Sequence, residues 1–260
     1  MFGPYELLAA ITAEPGRTVW MAFPTSASTQ TNRPCEAFSG RESGGAGLLV
    51  MRKTLAGRAR SHRDQGGRNV STRASKSSAR FAKASERWTA SDGAAITAEL
   101  GLSAGSSVLD VGGGTGVLAR HVAAASGCSV TVLDRDPLAV ETASSRSSVS
   151  AVLGDAAAMP FPDASFDAAL FIDAFHHVAD QRSAVCETAR VLRPGGLVLV
   201  AERDPAYFAA KLTYTYERMI GESVWAHTPE ALAEMFRDAG IEGEIRMGTG
   251  DSYRFVGVRK

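Results

Sequence analysis

Four glycines fall within five residues, Gly112-Gly113-Gly114-Thr115-Gly116, directly after the apolar run Val108-Leu109-Asp110-Val111. A glycine-dense turn between a strand and a helix constrains this chain more than any other feature. Glycine reaches positive φ and lets a ligand lie against the backbone. A helix beginning near Val117 aims free N–H groups at the same place. The pattern continues with a helix over 118–125 and a strand over 129–133. Asp136-Pro137 then starts a helix well, with an N-cap followed by proline at the first helical position. Further strands are expected at 151–153, 168–172 and 197–200, and helices over 86–100, 181–192 and 229–239. Such alternation of apolar strands and helices indicates a parallel sheet covered on both faces. Two last strands, 244–247 and 253–258, flank Gly248-Thr249-Gly250-Asp251 and read as a β-hairpin. The expected fold class is therefore α/β, a doubly wound, mostly parallel sheet ending in an antiparallel hairpin.

Charge divides the chain in two. Its 260 residues carry 28 Lys+Arg and 28 Asp+Glu, a formal net charge of zero. Residues 1–90 hold 14 basic and 6 acidic residues, or +8; residues 91–260 hold 14 and 22, or −8. From Arg52 to Arg87 there are 11 basic residues against two acidic ones, interleaved with Ser and Gly. Such composition buries too little apolar surface to offset the entropy of ordering it. Residues 1–80 therefore read as a low-complexity, disordered basic arm and 81–260 as the folded domain. The arm fits an organellar transit segment, a nucleic-acid tail without an aromatic stacking platform, or an extension ahead of a start near Met51. No apolar run reaches the roughly 18–20 residues of a membrane span. No basic residue precedes the apolar start of the chain, which makes it a poor secretory signal. Cys35, Cys128 and Cys186 are odd in number and far apart, which suggests no disulfide framework and a reducing, cytoplasmic setting, or an organelle if the arm is a transit segment. Five histidines, with only His176 and His177 adjacent, argue against a metal site.

The chemical signals all lie in the acidic part. Gly114-Thr115-Gly116-Val117-Leu118-Ala119 satisfies the GxGxxA dinucleotide fingerprint. Asp134 ends the second strand, where a carboxylate can accept both hydroxyls of a ribose. Asp155, after the third strand, and the backbone N–H of Ala156 are placed to read the edge of an adenine. Arg193-Pro194-Gly195-Gly196 turns sharply from a helix into the fifth strand. In order, VLDVGGGTG (108–116), VTVLDRD (130–136), LGDAAAMPFPDASFD (153–167) and RVLRPGGLVLV (190–200) resemble the Rossmann-like S-adenosylmethionine-dependent methyltransferases. The resemblance runs from about Phe81 to Lys260. MPFPDASFD (159–167) and AFHHV (174–178) bring it closest to the small-molecule enzymes of the ubiquinone/menaquinone-biosynthesis type. It implies that Gly112, Gly114 and Gly116 cradle the methionyl and ribose parts of S-adenosylmethionine. It also implies Asp110 near the amino group, Asp134 on the ribose, Asp155 on the adenine amine and Arg135 along the adenine face.

Methyl transfer is an in-line displacement on an activated electrophile, so alignment supplies much of the acceleration. A general base is needed only where the acceptor must lose a proton. The catalytic candidates are His176 and Asp173, with His177 and His227 behind them. Between the fifth strand and the helix after Pro229, residues 203–228 form a long connection holding Tyr207, Phe208, Tyr214, Tyr216 and Trp225. It is either a cover helix or a substrate lid in which Tyr214 and Tyr216 touch the acceptor. A small-molecule acceptor is the expected partner. An NAD-dependent oxidoreductase leaves the Gly154-Asp155 and Arg193–Gly196 segments without a role. An RNA- or DNA-directed methyltransferase is disfavoured because Asp173-Ala174-Phe175-His176 carries neither an Asn/Asp-Pro-Pro-aromatic motif nor a Pro-Cys nucleophile. A cofactor-binding protein without catalysis is the remaining alternative.

Overall fold

A computed structural model describes the backbone of residues 5–14 and 17–24, and residues 86–260 in full. Nine described strands form one sheet in the order β1-β2-β5-β4-β3-β6-β7-β9-β8. They are β1 (Tyr5–Glu14), β2 (Arg17–Pro24), β3 (Ser107–Val111), β4 (Ser129–Asp134), β5 (Val149–Leu153), β6 (Phe166–Ile172), β7 (Leu192–Arg203), β8 (Ile241–Met247) and β9 (Ser252–Arg259). The helices are α1 (Ala90–Leu100), α2 (Val117–Ser126), α3 (Pro137–Ser144), α4 (Gln181–Val191), α5 (Phe208–Met219) and α6 (Pro229–Asp238). Strands β5, β4, β3, β6 and β7 run parallel, while β9 pairs antiparallel with both β7 and β8. This is the doubly wound sheet with a terminal hairpin that the sequence pattern indicates.

Side-chain alternation assigns each strand's residues to two cores. On one face Val108, Val130, Val132, Leu170 and Leu199 pack with Ile96 of α1, Leu118 and Val122 of α2 and Val140 of α3. On the other Leu109, Leu133, Phe171, Val198 and Val200 pack with Val185 of α4 and Leu232 and Phe236 of α6. Being buried on both faces, these strands read as continuous apolar runs.

Several local details differ from the sequence expectation. Helix α1 starts at Ala90, not at residue 86, because Thr89 and Asp92 form a reciprocal capping box there. That leaves Arg87 and Trp88 outside the helix. Strand β7 counts through Arg193–Gly196, but its pairing with β6 jumps from Phe166↔Leu192 to Ala168↔Leu197, so the Pro-Gly-Gly turn bulges out of the ladder. The neighbouring 159–167 segment is stapled to this region. Arg190 donates to the carbonyls of Phe161 (2.7 Å) and Met159 (2.9 Å), and Arg193 pairs with Asp167.

The expected arm over 1–80 lies largely outside the described residues. Within it β1 and β2 form an antiparallel hairpin, and β2 lies parallel to β5 through Trp20↔Val152 and Met21↔Leu153. For these residues paired strands stand where an unstructured arm was expected. They carry Leu7-Leu8-Ala9-Ala10-Ile11 and Val19-Trp20-Met21, whereas the basic, Ser- and Gly-rich composition behind the expectation begins after them. Cysteine usage also needs correction. Cys128 is free and buried, but Cys186 is disulfide-bonded, because wide separation in sequence does not prevent close approach in space. Among the described residues no helix is long and apolar enough to cross a membrane.

Candidate active site

Strand order reverses between β3 and β6, and in open α/β sheets ligands bind at the carboxyl ends of strands at such a switch point. A cavity of about 680 Å³ opens there, a size suited to a cofactor and small substrate. The tips of β3, β4, β5 and β6 bring Asp110, Asp134, Asp155 and Asp173 to it, with Gly112, Gly114, Arg135, Ala156 and His177.

Asp110 is the penultimate residue of β3 and is only 2% exposed. Its Oδ2 has no hydrogen-bond partner among the described residues. A Cβ at position 113 would lie 2.4 Å from that oxygen, so only glycine lets the turn close over the carboxyl. Gly112 adopts φ 71° and would drive a Cβ to 2.8 Å from the Ala174 methyl. These two positions explain why the turn is glycine-dense. Burial, reinforced by the neighbouring Asp134 carboxylate, pushes the Asp110 pKa up to about 7.

Asp134 accepts the N–H of Gly114 on Oδ2 and that of Asp136 on Oδ1, both at 2.9 Å. Each oxygen keeps a second acceptor site. Burial raises its pKa against the lowering effect of the two backbone donors. Asp155 is held by the Ala157 N–H at 2.9 Å, with Ala156 beside it on the cavity wall. Gly116 is not in the lining: it caps α2 at φ 71°, facing Ala143 and Val149. Its glycine serves the packing of α2 against α3 and β5.

At the other end the structure divides the two histidines. His176 is 2% exposed and does not line the cavity. Its Nδ1 lies 2.5 Å from Glu202 Oε2, while Glu202 Oε1 accepts the N–H groups of Ala174, Phe175 and His176. Burial pulls the His176 pKa down, but the Glu202 carboxylate outweighs it and the net direction is up. His177 is the imidazole that faces the cavity. Its Nδ1 is 2.9 Å from the Ser223 carbonyl, and burial followed by the charge of His176 lowers its pKa. Asp173 lines the cavity with φ 53° and pairs with Arg87. Burial raises its pKa, but the Arg87 guanidinium prevails and holds the carboxyl below its ordinary value. Arg87 also lies over the Trp88 ring, 4.8 Å from its centroid, and both line the cavity.

Residues 203–228 meet the cavity differently from a tyrosine lid. Phe208, Leu212, Tyr216 and Met219 form an outward stripe, with Tyr216 59% exposed. Tyr214 is buried and donates its hydroxyl to the Arg203 carbonyl at 2.8 Å. The residues this segment gives to the lining are Glu217 and Glu222. Arg87, Trp88, Glu202, Glu217 and Glu222 are thus the site residues that sequence reasoning missed. Glu202 had one signal, an acid directly after the apolar run Leu197-Val198-Leu199-Val200-Ala201.

Comparison with known proteins decides the family. The Methyltransferase domain family matches residues 109–200. A demethylmenaquinone methyltransferase from Tropheryma whipplei is 39% identical over 128 residues, covering 46% of this chain and 52% of that protein. The ubiquinone/menaquinone biosynthesis C-methyltransferase UbiE of Hahella chejuensis is 32% identical over 171 residues, covering 54% of this chain and 69% of that protein. The chain belongs to the class I S-adenosylmethionine-dependent methyltransferases. A solved methyltransferase from Thermotoga maritima shares the fold, with a TM-score of 0.58 at 23% identity over 70% of this chain and 97% of that one. The chain spans about half the length of the first of these curated relatives. The cavity fits the family's cofactor on its own terms. It offers a buried carboxylate oxygen at Asp110 without a partner among the described residues, a carboxylate at Asp134 with acceptor capacity to spare, and a glycine turn that leaves room for a ligand.

Proposed function

We propose that the chain transfers a methyl group from S-adenosylmethionine to a small-molecule acceptor. The observation that carries this reading is the buried Asp110, its Oδ2 without a hydrogen-bond partner among the described residues, beside Asp134 beneath the glycine turn. S-adenosylmethionine supplies a methyl group already activated on a sulfonium. In this reading Asp110 holds the cationic amino end and Asp134 accepts the ribose hydroxyls. Asp155 and the Ala156 N–H read the adenine edge, and Arg135 borders its face. Gly112 and Gly114 line the path between them, while Gly116 contributes only through the helix it caps.

The acceptor then occupies the end lined by Arg87, Trp88, Asp173, His177, Glu217 and Glu222. The chain's contribution there is alignment and exclusion of water, which effective-molarity arguments credit with several kcal/mol, on the order of 7–11 in the best cases. Asp173, kept ionised by Arg87, orients the acceptor side, and His176, locked by Glu202, positions the loop that carries His177. His176 is a positioning residue in this account, not a base that touches the acceptor.

A methyl-transfer screen of quinols, phenols and amines with labelled S-adenosylmethionine tests the proposal. Turnover of at least one class, lost in Asp134→Ala, is expected. Turnover that survives Asp134→Ala would place the chemistry elsewhere.

A further inference from the structure

His176, His177 and Glu217 each present one ligand atom, and the three atoms lie within 4.8 Å of one another. No spacing along the chain points to this grouping, since Glu217 stands forty positions after His177 on a different element. We propose that these three side chains form a site for a first-row divalent transition metal, zinc being the best match, at the acceptor end of the cavity.

Proton bookkeeping makes the case. His176 Nδ1 faces the Glu202 carboxylate and carries its proton there, so Nε2, once deprotonated, is the atom left to coordinate. His177 Nδ1 likewise faces a carbonyl, that of Ser223, so Nε2 is the ring nitrogen turned away from that backbone contact. A carboxylate or carbonyl behind each imidazole is the outer-shell arrangement that orients histidine ligands on metals. His176 Nε2 stands 3.6 Å from Glu217 Oε2, and both atoms are buried without a hydrogen-bond partner among the described residues. At 3.6 Å the two atoms stand too far apart for a hydrogen bond, and a divalent cation between them would take the place of the imidazole proton. Ligands about 2.0–2.1 Å from a tetrahedral ion stand roughly 3.3 Å apart, close to the separation seen.

A second grouping, Asp173, His176 and Glu202, satisfies the same spatial criterion. It is the weaker candidate, because both Glu202 oxygens already accept N–H donors and Asp173 is paired with Arg87. Two histidines and one carboxylate leave a coordination position open, as catalytic zinc sites do. His177 and Glu217 line the cavity, so that position opens toward the acceptor and takes water or an acceptor oxygen. His177 is then a ligand and not a base.

The test uses the full chain without an affinity tag. Co²⁺ is titrated and visible absorption recorded, and Zn²⁺ affinity is measured by competition with a chromogenic chelator. One equivalent of Co²⁺ with the intense absorption of a tetrahedral N/O site is expected. Affinity should weaken at least tenfold in both Glu217→Gln and His177→Ala, whose thermal melting reports whether they fold. Absence of binding by the wild type, unchanged affinity in the two folded variants, or a sulfur-to-metal absorption band would each overturn the site. The readout is metal and not turnover, so failure here leaves the methyl-transfer reading standing.

Discussion

Replacing Asp110 by asparagine isolates the most unusual group in the cavity. The carboxyl is enclosed, its Oδ2 has no partner among the described residues, and its pKa is pushed up to about 7, first by burial and then by Asp134. An aspartate in an unfolded chain titrates near 3.9. A raised folded pKa means that the fold favours the protonated form. The stabilisation is full below about pH 4 and is lost as pH rises toward 7. A ligand ammonium at Oδ2 reverses that preference, so S-adenosylhomocysteine binding should release a proton at mildly acidic pH. With a pKa of about 7, the ionised fraction is roughly one tenth at pH 6 and roughly nine tenths at pH 8. Affinity should therefore tighten about tenfold over that interval, or about 1.4 kcal/mol. Isothermal titration at both pH values, in two buffers of different ionisation enthalpy, measures affinity and proton release together. Asp110→Asn should bind more weakly at pH 8, with no such slope. A pH-independent wild-type affinity, or the same slope in the variant, would refute the reasoning.

Other perturbations separate packing from the site. Phe171, fully buried and edge-on to Phe175 at 5.3 Å, should cost about 3–5 kcal/mol on truncation to alanine, read from urea denaturation. Tyr216→Ala should leave both the denaturation midpoint and S-adenosylhomocysteine affinity unchanged, since its ring points outward. Tyr214→Phe removes the bond to the Arg203 carbonyl and should cost about 1 kcal/mol in the same denaturation experiment, without altering cofactor affinity.

The end of the cavity proposed for the cofactor was legible because it is local. Asp110, Asp134 and Asp155 each lie within two residues of the end of an apolar strand, and a parallel sheet delivers all strand ends to one edge. Glycine spacing revealed the turn, although not that Gly116 serves the packing of α2 instead of the cavity. The acceptor half was not legible. Arg87 and Trp88 reach it from before α1, Glu202 from the end of β7 and Glu217 from α5. No sequence spacing relates positions that only the fold brings together. Tyr214 and Tyr216 misled for a related reason: aromatic content marks a helix as amphipathic but does not say which face meets the cavity. The histidine pair shows the same limit, since adjacency in sequence sent one ring into a buried carboxylate and the other toward the ligand space.

Titration of S-adenosylhomocysteine into the wild type and Asp134→Ala addresses the central claim most directly. Asp134 has two acceptor sites left for a ribose, and hydrogen bonds to a charged group contribute about 1.5–3 kcal/mol each. The account predicts one bound S-adenosylhomocysteine per chain, and affinity lower by about a hundredfold or more in the variant, with its folding checked by thermal melting. Equal affinity in a folded Asp134→Ala, or no binding by the wild type, would contradict it.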